Sequence, residues 1–561
     1  MRGWTIKPER AVEKALCFAG VFAGFTLLTG LFFWPWMAHL STALIGPPED
    51  NMQDFWNTWY AVVASDPRHF FYTTLIRFPE GTSLIYHSFF YPQLFVLVPL
   101  SKLLEMDRAT LILLQNATML LSFPLAGTGA FYLVRHFVKA SAASLVGGFV
   151  FAFNPSHVAH AMHHIGVASI GFIPFCVLAY LRAVEERSIG WLCAAIVFYA
   201  LSALSSWYNI FYLAYFILFH AVYLSVRDHK PPTGWRLIAP LSCMAGTALL
   251  LSPLLLPMAL QYGGANAYFD GTNVYVADLA AYFTFPVTHL LAERAYATVS
   301  LFQAGPLEGA VYLGLVNVAL LLWLGWRARG KKDPLLTYVL CGMAIFCVLA
   351  SGAMLHAFGD TYAFIPLPDL VLSKLPFFAQ VRTPSRAIVM VYLFLSIGVG
   401  YALALAWKEY RTAVGRGTVC VAAFLLLLDF TPTHLAMTDA ACPKGLDIIA
   451  RDSERGFGVL TRPGGAIEDE VAMLQQTCHG RPIMNGLVSR RLSRSLLDEL
   501  RSDDFMAQRE QLIRAHVKYI VLSAETNGLF IWKPEDGPKS LYESTYRPVY
   551  RDAKLTILRV Y

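Results

Sequence analysis

The chain has 561 residues, of which 56% are hydrophobic and only 15% are charged, and its mean hydropathy is +0.49. A soluble domain carries about a quarter charged residues, so this composition excludes an ordinary soluble globular protein. The net charge of +6 does not indicate nucleic-acid binding, because the basic residues follow the apolar segments as topology signals. The apolar residues fall in runs long enough to cross a bilayer, and they predict an α-helical, polytopic membrane protein.

The first apolar run, residues 15–40, predicts a retained first span. The run is too long for the apolar region of a signal peptide, and no small-residue cleavage pattern follows it. Four basic residues precede it, namely Arg2, Lys7, Arg10 and Lys14. Because Lys and Arg favour the cytoplasmic side of a membrane, we expect a cytoplasmic N-terminus and an outer first loop.

Ten further apolar segments alternate with turns and give about eleven predicted spans. They cover residues 110–134, 142–153, 167–184, 189–204, 210–226, 237–260, 310–326, 334–355, 386–407 and 419–430. The run from Tyr91 to Leu104 is shorter than a bilayer requires, and we predict a re-entrant or interfacial helix there. If this run crossed the membrane, the basic turns between Arg135 and Arg236 would lie outside, against the charge rule.

The composition changes to that of a soluble domain from residue 431 onward. Three β-rich stretches predict strands, namely Phe457–Thr461, Val517–Leu522 and Leu555–Tyr561. A fourth stretch, Arg490–Arg514, predicts one or two amphipathic helices. We therefore predict a transmembrane domain over residues 1–430, with a first outer loop at 41–109. A small α/β domain on the outer face would follow at 431–561.

The nine cysteines show no metal-type spacing. Seven of them lie in or near apolar runs, where a cysteine behaves as a small buried hydrophobic residue. Cys442 and Cys478 fall in the polar C-terminal part. They would form a disulfide in an oxidising compartment, and the alternative is two free thiols.

With this topology, the polar residues that could carry chemistry gather on the outer side. They are the acidic and aromatic segment Glu49–Tyr60, His87, the histidines His157, His160, His163 and His164, the acids Asp270, Asp278 and Glu308, and the arginines Arg382 and Arg386. A carboxylate can activate a hydroxyl nucleophile, and arginine matches phosphate oxygens bidentately. This combination suits the handling of an anionic lipid headgroup.

Several of these residues also have a structural interpretation. Asp54 is typical of a solvated surface acid. The histidine series resembles a metal-binding box, but on a helix its members would split between faces, and no carboxylate lies among them in the sequence. The metal is therefore left unknown, with a divalent cation as the candidate. Arg382 and Arg386 could also be explained by snorkelling at the membrane interface.

Several segments, taken in chain order, resemble a bacterial branch of membrane glycosyltransferases with the C-type (GT-C) fold. They are D-N-M-Q-D-F-W-N-T-W-Y, F-P-E-G-T-S-L-I-Y-H, F-N-P-S-H-V-A-H-A-M-H-H, L-S-S-W-Y-N, A-D-L-A-A-Y-F, E-G-A-V-Y-L-G, V-R-T-P-S-R and, in the C-terminal domain, H-G-R-P-I. The resemblance implies a GT-C-like fold in the bacterial inner membrane. It further implies transfer of a sugar, with inversion, from a polyprenyl-phosphate-linked donor to a lipid, glycan or protein acceptor on the periplasmic face.

The resemblance also implies roles for individual residues. The family's first-loop acid falls on Asp50, which would be the general base. Arg382 and Arg386 would hold the donor phosphate. The other residues expected to contact substrate are His160, His164, His87, Trp56 and Glu308.

One feature of the family is missing from this chain. Many GT-C enzymes carry a second acid between spans three and four, where this sequence has histidines. Asp278, or Asp270, from the long outer loop would then replace that acid as a catalytic residue. The alternative is that the chemistry differs from that of the family.

Two other classes of function stay open. One is a lipid-linked glycan transporter or flippase, and the other is a non-catalytic membrane protein that binds envelope glycans. A transporter would be expected to show internal repeats or charged residues within its spans, and the sequence shows neither. The glycosyltransferase is therefore the leading hypothesis.

Overall fold

The structure is a computed structural model that describes residues 8–66, 68–261, 273–375, 378, 381–490, 493–523, 532–533 and 536–561. The chain divides into two compact units. The first contains Met1–Ala38, Thr118–Ser252 and Asp270–Leu435, and the second contains His39–Ala117, Pro253–Phe269 and Ala436–Tyr561. Residues of the predicted first outer loop therefore belong to the same unit as the C-terminal residues.

Apolar helices dominate the first unit. In chain order they are Pro8–Phe32, Ser141–Ala152, Phe172–Glu186, Ile189–Ser205, Tyr208–Asp228, Leu315–Arg327, Pro334–Ala350, Ile388–Glu409 and Ala413–Asp429, and two more helices, Arg108–Val138 and Trp235–Leu260, are divided between the units. Each overlaps a predicted span. The apolar runs and the basic turns therefore located the helices correctly.

Six helices in the described part of the chain are long and apolar enough to cross a membrane. They are Glu13–Phe32, Arg108–Val138, Ile165–Glu186, Tyr208–Asp228, Trp235–Leu260 and Pro384–Glu409. Four other predicted spans correspond to apolar helices of 10–17 residues. The multi-pass membrane class is confirmed, while the count of eleven spans stays a prediction.

Capping residues set several helix boundaries. The Asp333 carboxylate accepts a hydrogen bond from the Leu336 N–H at 3.0 Å, and Pro334 occupies the first turn, where its missing N–H is not needed. Asn154 accepts from the His157 N–H at 2.9 Å in the same way. This cap begins the short helix Pro155–Ala161, which carries two of the histidines.

The helix Ile388–Glu409 is the most buried long helix of the first unit and packs against Ser141–Ala152. Glycines allow the two backbones to approach closely. A Cβ added to Gly147 would lie 2.8 Å from the Ser396 carbonyl oxygen, which is too short for a real contact. The turn Pro384–Ala387 leads directly into this closely packed helix.

The predicted ninth span, residues 334–355, is too long. The helix ends at Ala350, and Gly352 adopts a φ of +74°, a conformation that favours glycine. The chain then forms an antiparallel hairpin from Met354–Ala357 and Asp360–Pro366. The remaining short elements of this unit are Trp34–Met37, Pro155–Ala161, Ile165–Ala168, Ala281–Phe283, Ala292–Val299, Gly305–Glu308, Asp369–Leu372 and Pro384–Ala387.

The second unit contains a four-stranded sheet. Its strands, in spatial order, are Gly458–Arg462, Val517–Ser523, Leu555–Arg559 and Arg547–Arg551, with the first pair parallel and the others antiparallel. Three strands lie where the sequence predicted them. The fourth was missed because R-P-V-Y-R lacks the apolar run that marks a buried strand.

The other elements of the second unit surround this sheet or belong to the first-loop region. The helices are Asp50–Trp59, Tyr91–Ser101, Leu446–Ala450, Ala466–His479, Phe505–Arg514 and Lys539–Thr545, with a π-helical turn at Tyr60–Ala64 and a 3-10 turn at Leu496–Glu499. Two small antiparallel pairs join Ala43–Ile45 to Met437–Asp439 and Tyr72–Thr73 to Thr82–Ser83. Cys442 and Cys478 form a disulfide, which confirms the first of the two alternatives.

Candidate functional site

The predicted site residues lie in both units, and each group is described separately. The first unit contains His160, His164, Asp278, Glu308, Arg382 and Arg386, and the second contains Asp50, Trp56 and His87. Asp270 lies outside the described residues.

Four side chains from three segments of the first unit form a largely buried polar group, which we call the Glu308 cluster: Glu308, Arg386, His160 and His164. Glu308 ends the short helix Gly305–Glu308, and Arg386 lies in the turn before the buried helix Ile388–Glu409. His160 lies on the capped helix Pro155–Ala161, and His164 follows it. The sequence analysis named all four residues but did not predict that Glu308 lies among the histidines.

The Arg386–Glu308 ion pair is the strongest contact of this cluster. The Arg386 Nε donates to Glu308 Oε1 at 2.9 Å, and a terminal guanidinium nitrogen donates to the same oxygen. The Ser385 hydroxyl donates to the other oxygen, Oε2, at 3.3 Å. The guanidinium also lies 5.0 Å from the ring centre of Tyr208, in a cation–π contact.

Glu308 is ionised in this environment. Burial alone would raise its pKa, but the charge of Arg386 and the hydrogen bond from Arg386 outweigh burial and lower the pKa. The cluster therefore presents a fixed carboxylate with a fixed guanidinium beside it.

The two histidines of the cluster complete a potential set of metal ligands. His160 Nε2 lies 3.6 Å from Glu308 Oε2, and burial lowers the pKa of His160, so its imidazole is neutral at pH 7. Its Nδ1 has no hydrogen-bond partner in the described part of the chain. His160, His164 and Glu308 each offer one ligand atom within 4.8 Å of the others.

Two imidazoles and one carboxylate are ligands that suit a zinc-like divalent cation. A tetrahedral site would bring the ligand atoms to roughly 3.4 Å from one another, so these three side chains would have to move closer together. Glu308 would also have to share its charge between the cation and Arg386. The three residues fit a cation by chemistry, with Arg386 as the competing partner.

His157 does not join the Glu308 cluster. Its ring stacks on Phe123 with 4.1 Å between ring centres, and its Nε2 lies 2.9 Å from the Ser122 hydroxyl. Its Nδ1 donates to the Ala152 carbonyl at 2.5 Å. The histidine series therefore splits between faces, as the sequence analysis expected, and His157 has a structural role.

A small cavity of about 20 Å³ adjoins the cluster, which is room for one water molecule. Its lining includes His160 and Arg386 together with Tyr208 and Asn209 of the W-Y-N turn. A donor headgroup could not enter this space without rearrangement of the surrounding side chains.

Asp278 uses its carboxylate to hold the backbone. It accepts hydrogen bonds from the N–H groups of Ala280, Phe358 and Gly359 at 2.8–2.9 Å, and the side chain is buried. These contacts tie the Met354–Ala357 hairpin to the preceding loop. We therefore interpret Asp278 as a structural acid. Arg382 is half-buried, four residues before Arg386.

In the second unit, Asp50 is the first residue of the helix Asp50–Trp59 and is partly exposed. The positive end of the helix dipole favours its ionised form. Trp56 lies on the buried face of this helix and is fully buried. Its indole N–H donates to Gln476 Oε1 at 2.7 Å, so this polar group is bonded within the protein.

His87 is buried beside this helix. Its Nε2 donates to Asn57 Oδ1 at 2.7 Å, and its Nδ1 accepts from the Ser489 N–H at 3.4 Å. Burial lowers the pKa of His87 to about 4, although the charge of Asp50 opposes the shift. A neutral imidazole with both nitrogens bonded to protein positions the helix rather than binding substrate.

Glu470 is not predicted from the sequence as a site residue. It lies on the helix Ala466–His479, which packs against Asp50–Trp59, and its side chain forms a hydrogen bond with Asp50. Its carboxyl group is buried. The apolar-polar pattern of an amphipathic helix gives no signal for such a long-range pair.

The chain matches a known protein family. The family described as "Domain of unknown function (DUF6311)" matches residues 21–431, which is more than half of the chain. The chain belongs to this family. The DUF6311 match includes Asp50 and the whole Glu308 cluster, and it ends before the C-terminal residues that carry Glu470. Among curated proteins, no sequence matches the chain.

Solved structures of an archaeal oligosaccharyltransferase share this fold. The archaeal oligosaccharyltransferase AglB from Archaeoglobus fulgidus, in complex with an inhibitory peptide and a dolichol-phosphate, has a TM-score of 0.52 and 11% identity, over 95% of this chain and 73% of its own. The apo form of the A. fulgidus oligosaccharyltransferase has a TM-score of 0.53 at the same identity and coverage. ArnT from Cupriavidus metallidurans has a TM-score of 0.40 and 13% identity over 98% of both chains. The DUF6311 chain thus shares the GT-C fold of the oligosaccharyltransferase, as the sequence resemblance implied.

Proposed function

We propose that this protein is a bacterial inner-membrane glycosyltransferase that transfers a sugar, with inversion, from a polyprenyl-phosphate-linked donor to an acceptor on the periplasmic face. The observation that carries the proposal is the fold, which is shared over 95% of the chain with an oligosaccharyltransferase solved with a dolichol-phosphate. The candidate residues supply the groups that such a transfer requires, namely a carboxylate and arginines.

Asp50 is the proposed general base. It lies at the start of a helix and is partly exposed, so an acceptor hydroxyl can reach it. In the transfer, the acceptor oxygen forms a bond to the anomeric carbon while the bond from that carbon to the phosphate oxygen breaks. The hydroxyl proton goes to Asp50, and the polyprenyl phosphate leaves as the anion.

Arg382 and Arg386 are the proposed phosphate-binding residues. Arg386 already holds Glu308, so the Glu308–Arg386 pair has no net charge. Arg382 would add a second guanidinium to the phosphate site. His160 is neutral and its Nδ1 has no described partner, so it can donate or accept one hydrogen bond to substrate. The leaving phosphate would be stabilised by these groups more than the bound donor is.

A divalent cation, if this enzyme uses one, would be held by His160, His164 and Glu308. Such a cation supplies Lewis-acid stabilisation of phosphate oxygens. The residues themselves orient the phosphate, and Arg386 limits how much charge Glu308 can offer.

The test is a transfer assay with purified protein in liposomes that contain labelled polyprenyl-phosphate sugar and an envelope extract as acceptor. The proposal expects the label to leave the lipid and enter an acceptor, with release of polyprenyl phosphate. A transporter would move the intact donor between leaflets and release no polyprenyl phosphate. A non-catalytic binding protein would do neither.

A further inference from the structure

We infer that Glu470 is a positioning residue for Asp50 and donates a carboxyl hydrogen bond that orients the first-loop carboxylate. The catalytic consequence rests on the proposed function, but the hydrogen bond itself does not. The inference also gives the C-terminal part of the chain a direct role at the first loop.

Two contacts join the helices Asp50–Trp59 and Ala466–His479 at matched positions. Asp50 meets Glu470, and six residues further along both helices Trp56 meets Gln476. Six residues span about 9 Å of helix, so the two contacts lie about 9 Å apart along the helix axes. The matched spacing shows that the two helices run in the same direction.

The Trp56–Gln476 contact is held in place by further hydrogen bonds of Gln476. Gln476 is fully buried, and besides accepting from Trp56 it donates to the carbonyls of Leu75 at 2.6 Å and Arg481 at 3.0 Å. The helix that carries Glu470 therefore has little freedom to slide. Glu470 is held against Asp50 by contacts that do not involve either carboxyl group.

A hydrogen bond between two carboxyl groups requires one proton, because an ionised carboxylate only accepts. Glu470 is 3% exposed, and its Oε2 has no hydrogen-bond partner in the described residues. Asp50 is partly exposed and lies at a helix N-terminus, where the charged form is favoured. The proton therefore belongs on Glu470, and Asp50 is the acceptor.

The surrounding charges agree with this assignment. Burial raises the pKa of Glu470, and the carboxylates of Asp50, Glu49 and Asp54 raise it further. His87, which also feels the charge of Asp50, is neutral. Glu470 thus remains protonated at neutral pH, and its hydrogen bond orients the partly exposed Asp50 carboxylate.

The first test is infrared spectroscopy of the purified protein at neutral pH. The band of protonated carboxyl groups should lose the intensity of one group in Glu470→Gln. It should be unchanged in the matched control Glu510→Gln, which removes an exposed carboxylate from the same unit. An unchanged band in Glu470→Gln would overturn the inference, because Glu470 would then be ionised or its proton would lie elsewhere.

The second test is stability as a function of pH. When folding raises the pKa of a carboxyl group, the group makes its full contribution to stability at pH values below its unfolded pKa, about 4.3. This contribution is lost as the pH rises through the pKa of the folded state. Between pH 5 and pH 8 the wild-type Tm should therefore fall relative to the Tm of Glu470→Gln. The buried neutral histidines are the same in both proteins and cancel in this difference. An equal dependence of Tm on pH in Glu470→Gln and Glu510→Gln would contradict the inference.

The third test uses transfer activity and separates this inference from the proposed function. Glu470→Leu removes the donor, so the acid limb of the kcat/KM–pH profile should move to higher pH as Asp50 becomes more basic. Glu470→Gln keeps an N–H donor and should move the limb by less. Equal shifts in both variants would show that Glu470 acts only through packing. If no variant, including wild type, transfers sugar, the proposed function fails while the first two tests still decide the role of Glu470.

Discussion

Arg386 directs two of its guanidinium N–H groups at a single oxygen of Glu308, and the two side chains are only 13% and 6% exposed. Removing one partner leaves an uncompensated buried charge, which typically costs about 3–5 kcal/mol of stability. Glu308→Gln and Arg386→Met should each lower the free energy of unfolding by about this amount. The double variant should recover much of the loss, because it removes both charges.

Denaturation of the purified protein in detergent measures these differences. The exposed pair Arg451–Asp447 offers a control, since surface ion pairs contribute about 0–1 kcal/mol. Equal, small losses for the buried and the exposed pair would show that the Arg386–Glu308 contact is not formed.

A divalent cation bound by His160, His164 and Glu308 would compete with Arg386 for Glu308. Arg386→Gln removes the guanidinium and its positive charge, so Zn²⁺ should bind the variant more tightly than it binds the wild type. The measurement is the Zn²⁺-dependent rise in Tm. The rise should disappear in the double variant Arg386→Gln/His164→Ala. Equal Zn²⁺ responses in these two variants would exclude His164 as a ligand.

The hydrogen bond between Trp56 and Gln476 fixes the first-loop helix. Trp56→Phe keeps most of the apolar ring but leaves the buried Gln476 oxygen without its donor, at a cost of about 1–3 kcal/mol. The matched control is Trp191→Phe, whose indole N–H bonds to the exposed Glu186. The control should cost less, and a reversed order in the unfolding free energies would contradict the described helix pairing.

The Cys442–Cys478 disulfide closes a segment of 36 residues. By the chain-entropy relation, a loop of this length stabilises the fold by about 3–4 kcal/mol. The double variant Cys442→Ser/Cys478→Ser should therefore unfold earlier, and added reductant should no longer change its Tm. Cys193→Ser, at an exposed free cysteine, should behave like the wild type. A wild-type Tm that does not respond to reductant would contradict the contribution expected of this bond.

Local pattern predicted the helices and three of the strands but not the contacts of the site. Apolar runs and basic turns consist of residues that are neighbours in the sequence. The helix Ile189–Ser205 and the strand Val517–Ser523 therefore lie where the sequence predicted them. The end of the helix Pro334–Ala350 was missed because the apolar run continues into the hairpin after Gly352. Hydropathy does not distinguish a helix from a short strand that follows it.

Pairings across the chain have no local signal. Glu308 meets His160 and Arg386 only after the chain has folded, and Glu470 meets Asp50 from more than 400 residues away. The resemblance to GT-C enzymes named Asp50 and the arginines because those positions belong to recurring segments. It did not name Glu470, which lies outside the segments that carried the resemblance.

The central claim is that Asp50 acts as the base of a sugar transfer. Removal of a general base typically lowers turnover by about 10²–10⁴-fold. Asp50→Asn and the neighbouring control Asp54→Asn remove the same charge from the same helix, and both should fold like the wild type.

The most direct measurement is the release of polyprenyl phosphate from labelled polyprenyl-phosphate sugar by wild type, Asp50→Asn and Asp54→Asn in matched liposomes. We expect turnover by the wild type and by Asp54→Asn, and a loss of at least about 100-fold in Asp50→Asn. Wild-type turnover by a correctly folded Asp50→Asn protein would contradict the assignment.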